Sequence, residues 1–376
     1  MSHAKLSIGI AGAGLLGRLI AWQLLRKGHR VMLFDRGPEH GTQAAAWTAA
    51  GMVAPLSEAV VSDRFIYDMG RYALRQWPQW VKQLPAHRRP LWQFNGSLVV
   101  AHPQDQSELT QFYRDLYHVT GDTQGYQWLT RPALHSLEPD LNDQFQHGLL
   151  LENEGHLDNH TLFTALGNAL RELGGHCVFD CEVELESGLI HTPSGPRRFD
   201  QVIDCRGTGA KSGFPELRGV RGEILQVQTR DLTLNRPVRL MHPRYQLYVV
   251  PKPDHHFVIG ATQIESEDRS PMSLQSSLEL SSALYTLAPA FSEARIVEQS
   301  VNLRPALPDN NPRITREDRL LRVNGLFRHG YLLAPAVVDQ VVAMIDGGAD
   351  TEFAPHLLNL SRNALNDSRE SEQRAG

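Results

Sequence analysis

Three features predict an α/β chain built of two interleaved domains. An apolar run, Leu6-Ser7-Ile8-Gly9-Ile10-Ala11, enters a turn that holds Gly12, Gly14 and Gly17. A second buried run, Gln201-Val202-Ile203-Asp204-Cys205, ends in another small-residue turn, Arg206-Gly207-Thr208-Gly209-Ala210. From Gly222 onward the apolar period shortens to that of a sheet, which gives a mixed-sheet α+β region.

Residues 6–11 and 30–35 read as parallel, fully buried strands, with Leu15 to Lys27 as the crossover helix. Gly12 permits the tight turn, Gly14 lets the backbone approach a pyrophosphate, and Gly17 lets helix and strand pack closely. The helix N-terminus offers free N–H groups to phosphate. Asp35 closes the next apolar run, eighteen positions beyond Gly17, where an acid accepts hydrogen bonds from ribose hydroxyls. An acid there argues against a 2′-phosphate, and so against NADP. These residues define a Rossmann-like domain for an ADP-containing dinucleotide. The spacing leaves FAD and NAD both open.

Residues 37–58 are rich in Gly, Ala, Thr and Ser. Such a stretch can wrap a cofactor closely or serve as a surface linker. Residues 63–83 read as a helix whose stripe of Phe65, Met69, Tyr72, Leu74, Trp77 and Trp80 forms core. Strand character follows at Leu98-Val99-Val100, then a helix from Gln106 to Tyr117 and a turn-rich segment. Asn159 to Glu172 is a helix that leads into strands near 177–185. The run at 201–205 then meets a small-residue turn, the place where an open α/β sheet presents backbone to a ligand.

Ile224 to Val227, Leu247 to Pro251 and Phe257 to Ala261 read as strands, the last two joined by the hairpin signal Lys252-Pro253-Asp254-His255-His256. A helix near Leu274 to Leu287, a strand near Arg295 to Leu303 and a returning strand at Leu320 to Leu326 follow. Gly330 to Pro335 then feeds a helix from Ala336 to Ile345, and the polar segment from Asn359 is expected to fray.

A net charge of -5 on 376 residues gives no reason to expect nucleic acid or an anionic membrane as partner. Cys177, Cys181 and Cys205 fit neither a disulfide framework nor a metal site. No run reaches membrane-spanning length, and the N-terminal apolar run contains the glycine turn, so it reads as a strand rather than a signal peptide. A reducing, cytoplasmic setting is the expectation.

Several separated segments together resemble the D-amino-acid-oxidase-like FAD-dependent oxidoreductases, and among them the glycine oxidases of the ThiO type. Ala49-Ala50-Gly51-Met52-Val53-Ala54-Pro55 resembles the small-residue segment that lies against the flavin. Val202-Ile203-Asp204-Cys205-Arg206-Gly207 resembles the second cofactor turn, with Arg206 where a small residue is usual. Arg221-Gly222-Glu223 is similar to an Arg-Gly-Gln strand start, and Tyr248-Val249-Val250-Pro251 with Gly260-Ala261-Thr262 to the sheet that floors the substrate pocket. Leu303-Arg304-Pro305 with Asp309 and Gly330-Tyr331-Leu332-Leu333-Ala334-Pro335 match two late segments. Asn302 replaces the usual Gly before Leu-Arg-Pro, Gln263 stands where Met or Glu is frequent, and Gly325-Leu326-Phe327-Arg328-His329-Gly330 departs from the usual late motif.

The resemblance implies a Rossmann-like FAD-binding domain of residues 1–84, 155–217 and 316–365, interleaved with a mixed-sheet substrate domain of residues 85–154 and 218–315. Residues 366–376 are expected to form a disordered tail. It implies non-covalent FAD, since no cysteine follows Cys205 to make a late thioether link. The implied cofactor contacts are Gly12, Gly14, Leu15, Leu16, Gly17, Asp35, Arg36, Thr48, Ala49, Ala50, Gly51, Met52, Val183, Cys205, Gly207, Arg304, Arg328, Gly330, Tyr331, Leu332 and Leu333.

The implied activity is oxidation of the amine of a small amino acid (glycine, sarcosine or a D-amino acid) to an imino acid, with oxygen as acceptor and hydrogen peroxide as product. Arg304 is the expected carboxylate clamp, since a guanidinium presents paired donors in a fixed fork. Tyr248 would add its hydroxyl to the same carboxylate, and Arg328 matches a family arginine near the pocket. No side-chain base is required. His242, His255 and His256 read as exposed turn residues, which leaves His329 beside the late motif as the histidine worth testing. The altered pocket motifs keep a second reading open, a flavoprotein that oxidises a residue on a partner protein.

Overall fold

The computed structural model describes residues 4–85, 89–241 and 247–358. The expectations for the tail beyond Asn359 and for His242 fall outside these residues. The chain divides into two compact units: 1–44, 166–218 and 305–376 form one, and 45–165 with 219–304 form the other. Residues 45–84, 155–165, 218 and 305–315 thus group differently from the domain boundaries expected above.

The first unit is a six-stranded sheet in the order 313–317, 320–324, 201–204, 7–11, 30–34, 176–178. Ser7–Ala11 lies between Gln201–Asp204 and Arg30–Phe34 and is parallel to both, while only Arg313–Glu317 runs antiparallel to its neighbour. Parallel strands are buried on both faces, which explains why Ile8, Ile10, Val202 and Ile203 are all fully buried. One face packs through Ile190, Phe199, Val202 and Leu320 beneath a small antiparallel sheet of 184–186, 189–192 and 195–198. The helices Leu15–Arg26 and Gly330–Asp346 pack against each other in this unit.

The expected helix start at Ala336 is corrected: the helix begins at Gly330. Pro335 reads as a breaker in sequence, but its ring removes only one backbone donor near the helix start, and the helix runs through it. Pro78 is likewise carried inside Arg64–Gln83.

The second unit is built on an eight-stranded sheet in the order 295–306, 218–228, 256–260, 247–252, 238–241, 97–101, 147–151, 126–130. The segment read as turn-rich after residue 117 therefore contributes two strands, Tyr126–Thr130 and His147–Leu151. Period-2 alternation sorts the side chains of the sheet onto two faces. Leu98, Val100, Leu225, Val227, Val238, Leu240, Val249 and Ile259 bury against Leu280, Leu284 and Leu287 of the helix Leu274–Leu287. At about 25 cal/mol per Å² of apolar surface, this cluster is a principal source of the unit's stability.

The opposite face is less uniformly apolar. Tyr248 pairs with Gly260 on one side and Arg239 on the other, and Gly260 pairs with Ile224, which places these four positions in one row. The predicted hairpin is present: Leu247–Lys252 and His256–Gly260 pair antiparallel around the turn Pro253–His255, where Asp254 and His255 take φ of 58° and 59°.

Candidate functional site

The glycine turn of the first unit has the geometry the spacing predicts. Gly12 sits at φ +100°, and a Cβ there would lie 2.4 Å from the Cys205 carbonyl oxygen. A Cβ on Gly17 would lie 1.8 Å from the Gly12 oxygen, so neither position tolerates a side chain in this backbone. Gly14 differs. A Cβ there meets only the Ala44 methyl at 3.8 Å, which leaves open space in front of the turn.

Gly14 also caps the helix Leu15–Arg26 without a side-chain hydrogen bond, and no acid stands in the first turn. The first N–H groups of this helix therefore have no carboxylate in competition with a pyrophosphate. Asp35 accepts hydrogen bonds from the backbone N–H groups of Ala13 (2.5 Å) and Gly37 (2.7 Å), which fixes its carboxylate beside the turn. This open cradle, the capless helix end and the fixed acid fit an ADP-containing cofactor. Leu15 is buried, Leu16 half-buried and Arg36 exposed.

The other first-unit candidates fall in two places. Cys205 N–H donates to the Ala11 carbonyl at 2.7 Å, and burial pushes its thiol far up in pKa, so it is an inert core group. Gly207 takes φ +55°, and its carbonyl accepts from Asn324 Nδ2 at 2.9 Å, which joins this turn to the end of the late strand. Arg206 makes a two-pronged ion pair with Asp204, Nε to Oδ1 at 2.9 Å and Nη2 to Oδ2 at 2.8 Å, and also donates to the Val183 carbonyl. The departure at Arg206 is thus satisfied locally, and Val183 is part of the sheet-covering cluster.

Gly330, Tyr331, Leu332 and Leu333 form the first turn of the late helix. The side chains of Tyr331, Leu332 and Leu333 are buried in core, so these residues offer a ligand backbone N–H groups, and that of Leu333 already donates to His329 O. Arg328 Nε lies 3.4 Å from His329 Nε2.

In the second unit, Thr48, Ala49, Ala50, Gly51 and Met52 span a short helix, a turn and a two-residue strand. Gly51 takes φ +73°, and a Cβ there would lie 2.2 Å from Leu157 O. The Lys252 ammonium holds this segment from within, donating to Ala50 O (2.9 Å), Leu157 O (2.8 Å) and Asn159 Oδ1 (3.2 Å). Burial pushes the Lys252 pKa down to about 8, with Asp158 pulling the other way. Asn302, the residue that replaces the usual glycine, donates to Thr48 Oγ1 at 3.2 Å. A recess of about 210 Å³ opens here, lined by Trp47, Thr48, His160, Ile224, Gln226 and Lys252 among others. Trp47 and His160 stack at 4.0 Å on its wall.

Arg304 crosses the sheet at Gly222. Its guanidinium occupies the space a side chain would need, since a Cβ on Gly222 would lie 2.4 Å from Arg304 Cζ and Nη2. Nη1 donates to Thr262 O at 3.0 Å and to Arg221 O at 3.3 Å. Gly222, Ile224 and Gly260 share the face that carries Tyr248. The space over Gly222 is taken by the Arg304 guanidinium, and that over Gly260 by the Ile224 side chain, whose Cγ2 would lie 2.8 Å from a Cβ there. Arg221 and Glu223 alternate onto the other face, where Arg221 Nη2 meets Glu223 Oε1 at 2.6 Å and Nη1 holds the carbonyls of Asp268 and Ser270.

Three polar residues of this unit were not singled out from sequence: the half-buried Lys252 and the buried Glu154 and Arg239. The one local signal was a charged residue amid apolar strand neighbours, as in Val238-Arg239-Leu240.

A Rossmann-like nucleotide cradle together with a mixed-sheet unit fits a dinucleotide-dependent oxidoreductase. The chain belongs to the FAD dependent oxidoreductase (DAO) family, whose model matches residues 7–344. A Rhizobium etli protein provisionally named thiamine biosynthesis oxidoreductase ThiO is 41% identical over 334 residues, covering 88% of this chain and 94% of that protein. The glycine oxidase of Bacillus licheniformis is 25% identical over 355 residues, 90% of this chain and 92% of that one. The crystal structure of Geobacillus kaustophilus glycine oxidase superposes with a TM-score of 0.81 at 23% identity, covering 95% and 98% of the two chains. The chain is therefore an FAD-dependent enzyme. Among the described residues, no helix is long and apolar enough to cross a membrane.

Proposed function

We propose that this enzyme oxidises the amine of a small amino acid, glycine, sarcosine or a D-amino acid, to the imino acid, with oxygen as acceptor. The observation that carries this reading is the Arg304 guanidinium seated over Gly222 on the same sheet face as Tyr248. A guanidinium and a phenol hydroxyl on one face suit a carboxylate. The names of the relatives agree with it, since two of them are glycine oxidases.

In this reading the protein's own groups bind and orient. Arg304 Nη1 donates to two carbonyls, which fixes the guanidinium beside Gly222, where it would meet one carboxylate; Tyr248 would add a hydroxyl. A substrate held at both points presents its α C–H in a single orientation, and such pre-paid ordering replaces a costly encounter. The cradle at Gly12, Gly14, Gly17 and Asp35, with the backbone of Gly330 to Leu333 in the same unit, would hold FAD, which would supply the two-electron acceptor chemistry when bound. The amine loses its α-hydrogen as hydride and a proton from nitrogen, and the imine is then hydrolysed by water to the oxo acid and ammonia or an amine. Oxygen takes the two electrons and two protons to give hydrogen peroxide.

The test is hydrogen peroxide release from purified holoenzyme on addition of glycine, sarcosine and D-alanine. Release with at least one of them supports the assignment. No release, with flavin that is reduced only when a second polypeptide is added, overturns it in favour of a protein-modifying flavoenzyme.

A further inference from the structure

Tyr248 is backed by a set of buried polar groups that neither cofactor nor substrate binding explains. Its cross-strand partner Arg239 is 2% exposed, and the Arg239 guanidinium lies 5.8 Å from the Tyr248 ring centroid and 4.9 Å from that of Phe112. Arg239 Nη1 donates to Ser57 O at 3.2 Å, while its Nε is buried with no hydrogen-bond partner. From the same serine, the backbone N–H (2.5 Å) and the hydroxyl (2.9 Å) donate to Glu154. Ser97 Oγ donates to Glu154 as well, at 2.5 Å, and Glu154 is fully buried.

A buried cation and acid of this kind are costly to desolvate, and apolar residues of the same size serve stability as well or better. What they do supply is position. The row that holds Tyr248 has Arg239 on one side and Gly260 on the other, so Arg239 is the side chain directly across the strand pair from the ring. The cation is drawn to the electron-rich ring face, and Ser57 with Glu154 fixes where the cation stands. We infer that Arg239 is a positioning residue for substrate recognition, which holds the Tyr248 ring so that its hydroxyl meets the substrate carboxylate. The inference rests on the assignment of Tyr248 to that carboxylate.

The experiment is a double-mutant cycle with Arg239→Met and Tyr248→Phe in the holoenzyme. It reads the Kd of acetate, a carboxylate without an oxidisable amine, from the flavin absorbance change, alongside kcat and KM for the best amine. Arg239→Met is expected to weaken acetate binding about tenfold and raise KM similarly, with kcat within about twofold. In the Tyr248→Phe background it should add nothing, because the group it positions is gone. An equal loss in both backgrounds, or no loss in either, overturns the inference. If Tyr248→Phe alone leaves acetate binding unchanged, the fault lies instead with the carboxylate assignment, and the inference falls with it. Should Arg239→Met fail to fold, Arg239→Lys carries the same cycle, since it keeps the charge and loses the planar fork.

Discussion

Gly222→Ala separates the substrate clamp from the fold. The new Cβ would lie 2.4 Å from Arg304 Cζ and Nη2 and 2.6 Å from Nη1. Ordinary contact needs about 3.4 Å or more, so the guanidinium must move by roughly 1 Å or more. It is the far end of a flexible side chain, and it moves at little cost to stability. The move strains the bonds from Nη1 to Thr262 O and Arg221 O, which measure 3.0 and 3.3 Å and aim the group. Loss of an aimed guanidinium from a buried carboxylate costs roughly 2–5 kcal/mol, about thirtyfold or more in affinity. The assay is acetate titration of the oxidised holoenzyme, together with a thermal melt and the FAD content. The expected result is a Kd raised about thirtyfold or more, with Tm changed by only a few degrees and FAD retained. An unchanged Kd in folded, FAD-loaded Gly222→Ala protein would refute the reasoning, since Arg304 could not then be holding the carboxylate.

Gly14→Ala should fold, because its Cβ meets only Ala44 at 3.8 Å, yet lose FAD affinity by about tenfold or more, as read by fluorescence titration of the apoprotein; full retention would place the pyrophosphate elsewhere. Burial pushes the Glu154 pKa up to about 7 from 4.5, against the pull of the Ser97 and Ser57 hydrogen bonds. The protonated acid is thus favoured in the folded state. Its contribution is fully present below pH 4.5 and is lost as pH rises to about 7, a change on the order of 3 kcal/mol. Glu154→Gln should flatten denaturant-measured stability over that window, and a wild-type slope retained in the variant would count against it. Lys252→Met leaves the carbonyls of Ala50 and Leu157 and the Asn159 side chain without their donor, so it should destabilise by roughly 2–4 kcal/mol and lower Tm; a melt unchanged within a degree would show that the ammonium contributes nothing net.

Much of the fold was legible because its signals are local. Asn159–Glu172 and Leu274–Leu287 carry a helical apolar period from end to end, and both occur with the bounds that period indicates. The glycine turn and Asp35 are local too, since Gly12 and Gly17 answer contacts within the same strand-turn-helix unit or its neighbouring strand. Tyr126–Thr130 and His147–Leu151 were hidden because five residues give too few periods to stand out from loop. The helix start at Gly330 was hidden by Pro335, whose breaker value depends on its position in the helix.

The polar network behind Tyr248 had a local signal only at Arg239, a charge between Val238 and Leu240. Ser57 and Glu154 are 97 positions apart, and Arg239 and Ser57 are 182 apart. Burial of Glu154 and of Lys252 exists only once distant segments have packed around them. Asn302 was visible as a departure, but its hydrogen bond to Thr48, 254 positions away, was not.

The most direct measurement is a crystal structure of the oxidised holoenzyme with acetate or glycine bound. The account predicts a carboxylate on the sheet face of Tyr248, with its oxygens about 2.7–2.9 Å from Arg304 guanidinium nitrogens and one of them accepting from the Tyr248 hydroxyl. A carboxylate bound elsewhere, with Arg304 engaged only by the carbonyls of Thr262 and Arg221, would contradict it.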